Sequence, residues 1–303
     1  MRRLKDSSER GPSWRQAENR PVGGESQSPL APGLYVTATP IGNARDITLR
    51  ALDALAACDA IAAEDTRVTS RLLSIYGISK PLFSYNDHNA AGARPKLIKR
   101  LREGARIVLV SDAGTPLVSD PGYKLVREAL AEGVAVHVLP GPSAALAALA
   151  LAGLPTDRFL FAGFLPPKSG ARRTALLELR DVRATLIFFE SAQRLSESLA
   201  DMANVLGPRE AAVGRELTKL HEEMRRGDLA TLASSYASPP KGEVALVVAP
   251  PKDAAPDLAR ADALLDKALQ FMPVRAATDL LAEALDLPRH ALYERALAKK
   301  KGA

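Results

Sequence analysis

The stretch Val108-Leu-Val-Ser-Asp-Ala-Gly-Thr-Pro-Leu-Val-Ser-Asp-Pro121 passes from an apolar run to small, polar and turn-forming residues within a few positions. Residues 107–110 are apolar without alternation, the form of a parallel strand covered on both faces. Its loop therefore opens at the carboxyl edge of a sheet, where α/β proteins place ligands. Gly114, Pro116, Pro121 and Gly122 shape the backbone path, and Ser111, Asp112, Thr115, Ser119 and Asp120 supply hydrogen-bonding side chains along it. Taken alone, the loop fits equally well an ordinary strand-to-helix turn capped by Ser119 or Asp120.

The same strand, polar loop and helix unit recurs on either side. A strand over 34–38 leads into Thr-Pro-Ile-Gly-Asn (39–43) and a helix over 48–57, and a strand over 60–63 runs into Glu64-Asp65-Thr66-Arg67. Residues 82–85 enter the turn Asn86-Asp87-His88-Asn89, followed by a helix over 95–103. After the central strand and a helix over 122–132, a strand over 134–139 ends in Pro140-Gly141-Pro142-Ser143 and an alanine-rich helix over 144–154. This alternation predicts a mostly parallel α/β sheet, with the loops 39–43, 64–67, 111–120 and 140–143 on one edge.

Gly153-Leu154-Pro155 breaks the pattern. Strands over 159–163, 185–189, 211–215 and 244–248, with helices over 171–179, 194–205 and 229–236, make a second α/β domain. Pro250-Pro251 opens a linker, after which 261–269, 274–285 and 289–299 carry helical periodicity around a turn at 286–288, as in a helix-turn-helix module. The expected organisation is a disordered tail (1–32), two α/β domains (33–153 and 154–250), a linker (251–259) and a small helical domain (260–303).

The chain has 303 residues, of which 47% are hydrophobic, enough for two domains with real cores. Its single cysteine, Cys58, excludes an internal disulfide framework, and the four histidines lack metal-ligand spacing, so no metal is expected. The longest apolar segment, 144–154, is far short of the roughly 20 residues of a membrane span. A formal charge of +6 is compatible with a polyanionic partner. No glycine-rich dinucleotide fingerprint, Walker loop or nucleophile elbow is present.

Several long motifs carry a resemblance: Thr-Pro-Ile-Gly-Asn (39–43), Ala-Glu-Asp-Thr-Arg (63–67), residues 110–123 around the central loop, Leu-Pro-Gly-Pro-Ser-Ala (139–144), Gly-Leu-Pro-Thr-Asp-Arg-Phe (153–159), Gly-Phe-Leu-Pro (163–166) and Arg-Glu-Leu-Thr-Lys (215–219). Together they resemble the tetrapyrrole-methylase fold class of S-adenosylmethionine-dependent methyltransferases, and within it the bacterial 16S ribosomal RNA cytidine 2′-O-ribose methyltransferase (RsmI) family. The resemblance spans roughly residues 33–250, and the C-terminal helices also fit it. Glu-Ser-Ala-Gln-Arg (190–194) departs from the family, which has Pro-His in place of Ala192-Gln193.

The resemblance implies a cytoplasmic enzyme, a homodimer, that binds S-adenosyl-L-methionine between its two α/β domains and methylates a ribose in the decoding region of 16S rRNA on the small ribosomal subunit. The implied cofactor residues are Pro40, Ser111, Asp112, Gly114, Thr115, Val118, Gly141, Pro142 and Ser143, with the second domain closing near Phe189 and Val213. A ribose hydroxyl is a poor nucleophile, so a base beside it would help; the candidates are Glu64, Asp65 and Asp87, with Arg67 as an anion partner. The alternative reading of 64–67 is a helix cap with a local ion pair. RNA contacts are expected from Lys168, Arg172 and Arg173 in a loop after Pro166-Pro167, and from Arg215 and Lys219, with Arg225 and Arg226 nearby. The rivals are a cobalamin-pathway or other tetrapyrrole methyltransferase and a non-catalytic nucleic-acid-binding protein.

Overall fold

The computed structural model describes residues 30–236, 238–251, 258–285 and 287–301. The expected N-terminal tail up to residue 29 and most of the expected linker lie outside the described residues. The described residues form two compact units: one runs to Glu178 and includes Ala184–Ala249, the other combines Leu179–Arg183 with Pro250 onward.

The first half of the larger unit is the parallel sheet of the sequence reading. Strands β1 (Gly33–Thr37), β2 (Ala60–Ala63), β3 (Leu82–Ser84), β4 (Arg106–Val110) and β5 (Val136–Leu139) are all parallel, in the order β3-β2-β4-β1-β5. They are connected by helices α1 (Leu49–Ala57), α2 (Thr66–Ile75), α3 (Ala90–Arg102) and α4 (Tyr123–Ala131). The central β4 explains its own lack of alternation. Ile107 and Leu109 enter one hydrophobic cluster with Leu34 and Leu125, while Val108 and Val110 enter another, across the sheet, with Tyr35 and Leu55. Because the strands run parallel, the loops after β1, β2 and β4, and after β5, emerge on the same edge.

Helix α2 is longer than the motif that starts it. Asp65 is its N-cap, accepting from the Arg67 amide at 2.8 Å. Helix α3 begins at Ala90, five residues before Pro95, where a proline-first start at 95 is the expectation from sequence. Its entry is fixed instead by the pair Asn86 and Asn89, each of whose side chains accepts from the other's backbone amide.

The alanine-rich helix α5 (Ala144–Ala152) packs against the second sheet: Ala145, Ala148, Leu149 and Ala152 share a cluster with Ile187, Ala212, Ala245 and Val247. Its small side chains let helix and sheet approach closely. That second sheet holds β6 (Phe159–Phe164), β7 (Thr185–Ser191), β8 (Glu210–Arg215), β9 (Glu223–Asp228) and β10 (Glu243–Val248) in the order β6-β7-β10-β8-β9. Only β6 and β7 are parallel; the remaining neighbours are antiparallel. Helices α6 (Ser169–Leu179), α7 (Leu195–Leu206) and α8 (Leu229–Ser235) complete this half. Strand β9 has no counterpart in the sequence reading because Glu-Met-Arg-Arg-Gly-Asp lacks an apolar run; it forms through its full backbone register with β8.

In the smaller unit, α9 (Leu258–Ala268), α10 (Val274–Leu285) and α11 (Arg289–Lys301) enclose Ala261, Leu265, Leu281, Leu292 and Ala296. Arg295 bonds Asp262, and Lys299 bonds Asp266 at 2.7 Å, tying α11 to α9.

Candidate active site

The converging loops of the first sheet face the second sheet across a cleft of about 660 Å³, a size suited to a nucleoside-sized ligand. The loop 111–122 forms much of one wall. It is pinned to the loop after β1 by paired backbone bonds, Thr39 N–H to Gly114 O at 2.8 Å and Gly114 N–H to Thr39 O at 3.0 Å. Gly114 has a φ of +79°, the left-handed backbone that favours glycine, while a Cβ there would meet Ile41 only at an ordinary contact distance of 3.4 Å. Beyond it Leu117 and Ser119 also adopt left-handed backbone (φ 74° and 65°), a conformation costing about 1–2 kcal/mol per non-glycine residue. Strain of this kind persists where the surrounding structure enforces a particular loop shape.

Of the expected cofactor residues, Gly114, Thr115, Val118 and Ser143 line the cleft. Pro40, Ser111, Asp112, Gly141 and Pro142 do not; several of them shape the wall from behind. Ser111 is buried, with its carbonyl accepting from the Thr39 hydroxyl at 3.3 Å. Pro142 O accepts from the Thr115 hydroxyl at 3.1 Å, and a Cβ on Gly141 would stand 3.0 Å from Ala38 Cβ. Ser143 is also the N-cap of α5. On the opposite wall Phe189 lines the cleft, but Val213 is fully buried and its neighbour Gly214 is the lining residue.

The second-domain wall also contains Glu190, Ser191, Ala192, Gln193 and residues 240–245, among which the sequence reading singled out only the departure at 192–193. The strand-end signal at 190–191 could have identified part of this wall; the turn at 240–243 carries none. Phe164, 57% exposed, stands at the cleft with its ring edge-to-face to Phe189, centroids 5.7 Å apart.

The acidic candidates separate by environment. Asp65 is committed to α2: besides capping, it forms an ion pair with Arg67 at 2.6 Å, which holds its carboxyl down to about 2. Arg67 itself is 84% exposed. The Asp65 amide donates to Asp112 Oδ1 at 3.0 Å, and the Asp112 amide donates to Glu64 Oε2 at 3.3 Å, linking the loops after β2 and β4. Burial raises the pKa of both Glu64 and Asp112. Asp87 sits exposed in the turn before α3. None of Glu64, Asp65, Arg67 and Asp87 lines the cleft. Asp120 does, and burial, reinforced by the nearby Glu64 and Asp112 charges, pushes its carboxyl up to about 6.

The expected RNA-contact residues need correction at Arg172. It lies in helix α6 (Ser169–Leu179), which takes in the helix expected over 171–179, rather than in the loop after Pro166-Pro167, and it is 1% exposed, its Nε donating to Asp201 Oδ2 at 2.6 Å and its Nη1 to Pro167 O at 3.2 Å. Arg173 also donates to Asp201, at 2.6 Å, but remains half exposed, and Lys168 is exposed. Arg215 and Lys219 are engaged locally: Arg215 with Glu223 at 3.0 Å, Lys219 with Glu216 and Glu243, both at 2.9 Å. Arg226 donates to the carbonyls of Leu151 and Ala152, capping the C-terminus of α5. Among the described residues no group of three or more His, Cys, Asp or Glu could hold a metal ion, and no helix is long and apolar enough to cross a membrane.

A parallel sheet and a mixed sheet meeting at a loop-lined cleft are the architecture of a methylase, and residues 33–233 match the model of the tetrapyrrole (corrin/porphyrin) methylases. Residues 254–300 match the RsmI C-terminal HTH domain. Among curated relatives, the ribosomal RNA small subunit methyltransferase I of Mesorhizobium japonicum is 54% identical over 275 residues, 90% of this chain and 94% of its own. That of Escherichia coli O157:H7 is 47% identical over 273 residues, covering 88% and 95%. Solved structures sharing the fold include uroporphyrin-III C-methyltransferase from Thermus thermophilus complexed with S-adenosyl homocysteine (TM-score 0.52, 20% identity, 71% of this chain and 96% of that one). Diphthine synthase is another (TM-score 0.57, 17% identity, 71% and 89%). The chain belongs to the ribosomal RNA small subunit methyltransferase I family of the tetrapyrrole methylases.

Proposed function

We propose that the protein uses S-adenosylmethionine to methylate the ribose 2′-oxygen of a cytidine in 16S rRNA, in the decoding region of the small ribosomal subunit, acting in the cytoplasm as a homodimer. The observation that carries this reading is the joining, in one chain, of a methylase cleft to the RsmI C-terminal domain, at 54% identity to a named small-subunit rRNA methyltransferase.

The cleft suits the cofactor chemically. Gly114 leaves room for a ligand to approach backbone, the Thr115, Ser143 and Ser191 hydroxyls offer hydrogen bonds, and Val118, Leu217 and Phe189 offer apolar surface for an adenosine. When bound there, S-adenosylmethionine supplies an electrophilic methyl group on a sulfonium. The chain's own task is then to hold the ribose in line with that group and exclude water, an alignment that lowers the barrier without strong chemical activation. Phe164, exposed at the rim, is positioned to stack a splayed nucleobase, the usual mode of recognising single-stranded RNA. Exposed Lys168 and Arg173 provide phosphate contacts nearby in sequence.

The test is transfer of radiolabelled methyl from S-adenosylmethionine to small subunits isolated from a strain lacking this methylation, with naked 16S rRNA and a precursor tetrapyrrole as parallel acceptors. Label in the subunits, recovered as an alkali-resistant dinucleotide, is the expected result. Label in the tetrapyrrole alone would replace this reading with the cobalamin-type one, and label in neither would favour a binding protein. Light scattering on the full chain gives the oligomeric state.

A further inference from the structure

We infer that Asp120 is the general base that takes the proton from the attacking ribose hydroxyl; this rests on the methyl transfer proposed above. Among the described residues three carboxylates line the cleft: Asp120, Glu190 and Glu243. Glu190 is buried and consumed by its partners, Arg194 at 2.6 Å, the Ser198 hydroxyl at 2.6 Å and the Ser191 amide at 2.6 Å. Glu243 is largely exposed and paired with Lys219. Asp120 makes no ion pair among the described residues; the buried Ser111 beside it lowers its pKa somewhat, but the Ser111 hydroxyl itself donates to Ala113 O at 3.3 Å. It is thus the cleft carboxylate free to accept a proton.

The backbone holds it there. Asp120 follows the left-handed Leu117 and Ser119 and precedes Pro121, so its loop is a constrained arch. A Cβ on Gly163 would lie 3.4 Å from Ser119 Oγ, which places the start of the Gly-Phe-Leu-Pro motif, and Phe164 with it, against this same arch. A base stacked on Phe164 would therefore bring its ribose to the Asp120 side of the cleft. The charged groups around Asp120 are Glu64 and Asp112 on its own sheet edge and Glu190, Lys241 and Glu243 on the opposite wall. Its burial, with a smaller contribution from the two acids on its own side, raises the carboxyl to about 6, so at neutral pH it is ionised yet basic enough to accept a proton.

The step balances without another reactant. The proton passes from the 2′-hydroxyl to an Asp120 carboxylate oxygen as the O–CH3 bond forms and the S–CH3 bond breaks. The electron pair of the broken bond stays on sulfur, the sulfonium becoming a neutral thioether, and the protonated Asp120 then releases its proton to water.

The experiment compares the full-length wild type with Asp120→Asn and Asp120→Glu in single-turnover methylation of undermethylated small subunits between pH 5 and 8.5. Cofactor affinity is measured by calorimetry, and carboxyl titration by carbon-13 NMR. Wild-type rates should rise tenfold per pH unit below about 6 and level off above it. Asp120→Asn should lose roughly 100-fold or more in rate, and the inflection with it, while cofactor affinity changes less than twofold. The carboxyl resonance titrating near 6 should vanish in that variant, and Asp120→Glu should restore part of the rate with a shifted inflection. An Asp120→Asn rate within threefold of wild type, a retained inflection, or a flat wild-type profile overturns the inference. Should Asp120→Asn fail to fold, the shift of the inflection in Asp120→Glu decides. Wild-type label that never reaches RNA overturns the proposed function instead, so the two failures are distinct.

Discussion

Lys219, from the turn after β8, lies across Gly42 in the loop after β1, with no room for a side chain between them: a Cβ on Gly42 would fall against Cγ of Lys219. The lysine reaches over the glycine to Glu216 and Glu243, so that this ion-pair cluster of the second half lies directly against the loop after β1. Gly42→Val should displace it and lower stability by about 1–3 kcal/mol, the usual cost of overpacking. In a double-mutant cycle with Lys219→Ala, which empties the space, the combined loss should be smaller than the sum of the single losses. Thermal melting of the four proteins checks this.

Asp65 should behave as a structural residue. Because the Arg67 guanidinium depresses its carboxyl, the ionised form favours folding at pH values above the ordinary carboxylate range, and that contribution disappears as pH falls towards 2. Asp65→Ala should therefore melt below wild type at pH 7, with the difference shrinking between pH 4 and 2, while methyl transfer per folded molecule stays within tenfold. A 100-fold rate loss at unchanged melting temperature would return the base to the loop after β2.

Asp120 should have the opposite signature. Its carboxyl is raised, so folding favours the protonated form: the stabilisation is fully present below about 3.8 and is lost as pH rises through about 6. Asp120→Asn, which cannot ionise, should melt a few degrees above wild type at pH 8 and lose that advantage near pH 4. Melting curves at the two pH values read this directly, independently of any substrate. A more stable, less active variant is the usual outcome when a catalytic group is held against its preference.

Arg172 and Lys168 should part company. Removing Arg172 leaves Asp201, itself 5% exposed, with Arg173 and Ser169 as its remaining side-chain partners, and breaking a buried pair costs about 3–5 kcal/mol. Arg172→Ala should thus fail on stability before RNA binding can be assessed. Lys168→Ala should melt normally but bind small subunits more weakly, with a salt slope reduced by about one.

These contrasts mark where sequence is informative. The parallel sheet was legible because β4 and its neighbours are covered on both faces and so write their burial as unbroken apolar runs. The strand β9 was not, because an edge strand paired through its backbone can carry Glu223, Arg225 and Arg226 with no apolar signature. Arg172 reads as part of a basic loop because its partner, Asp201, lies 29 residues away on another helix. The Glu-Asp-Thr-Arg motif draws attention by its charge, yet its Asp and Arg satisfy each other at the head of a helix. Asp120 has no such local partner, and its distinction, burial on the cleft wall, comes only with the folded arch.

Helix α5 belongs to the first domain by sequence and to the second by contact, so the loop that enters it, residues 140–143, is anchored at one end to each sheet. Its alanines set how closely that anchor sits on the second sheet: Ala145, Ala148 and Ala152 are buried against it. Ser143, at the head of the helix, lines the cleft, so its position depends on residues mostly remote from any ligand, and Arg226, bonded to the carbonyls at the far end, ties the helix to β9 of that sheet. A larger side chain on the buried face of this one helix would therefore move a ligand-facing hydroxyl while leaving the sequence of every ligand-facing loop untouched.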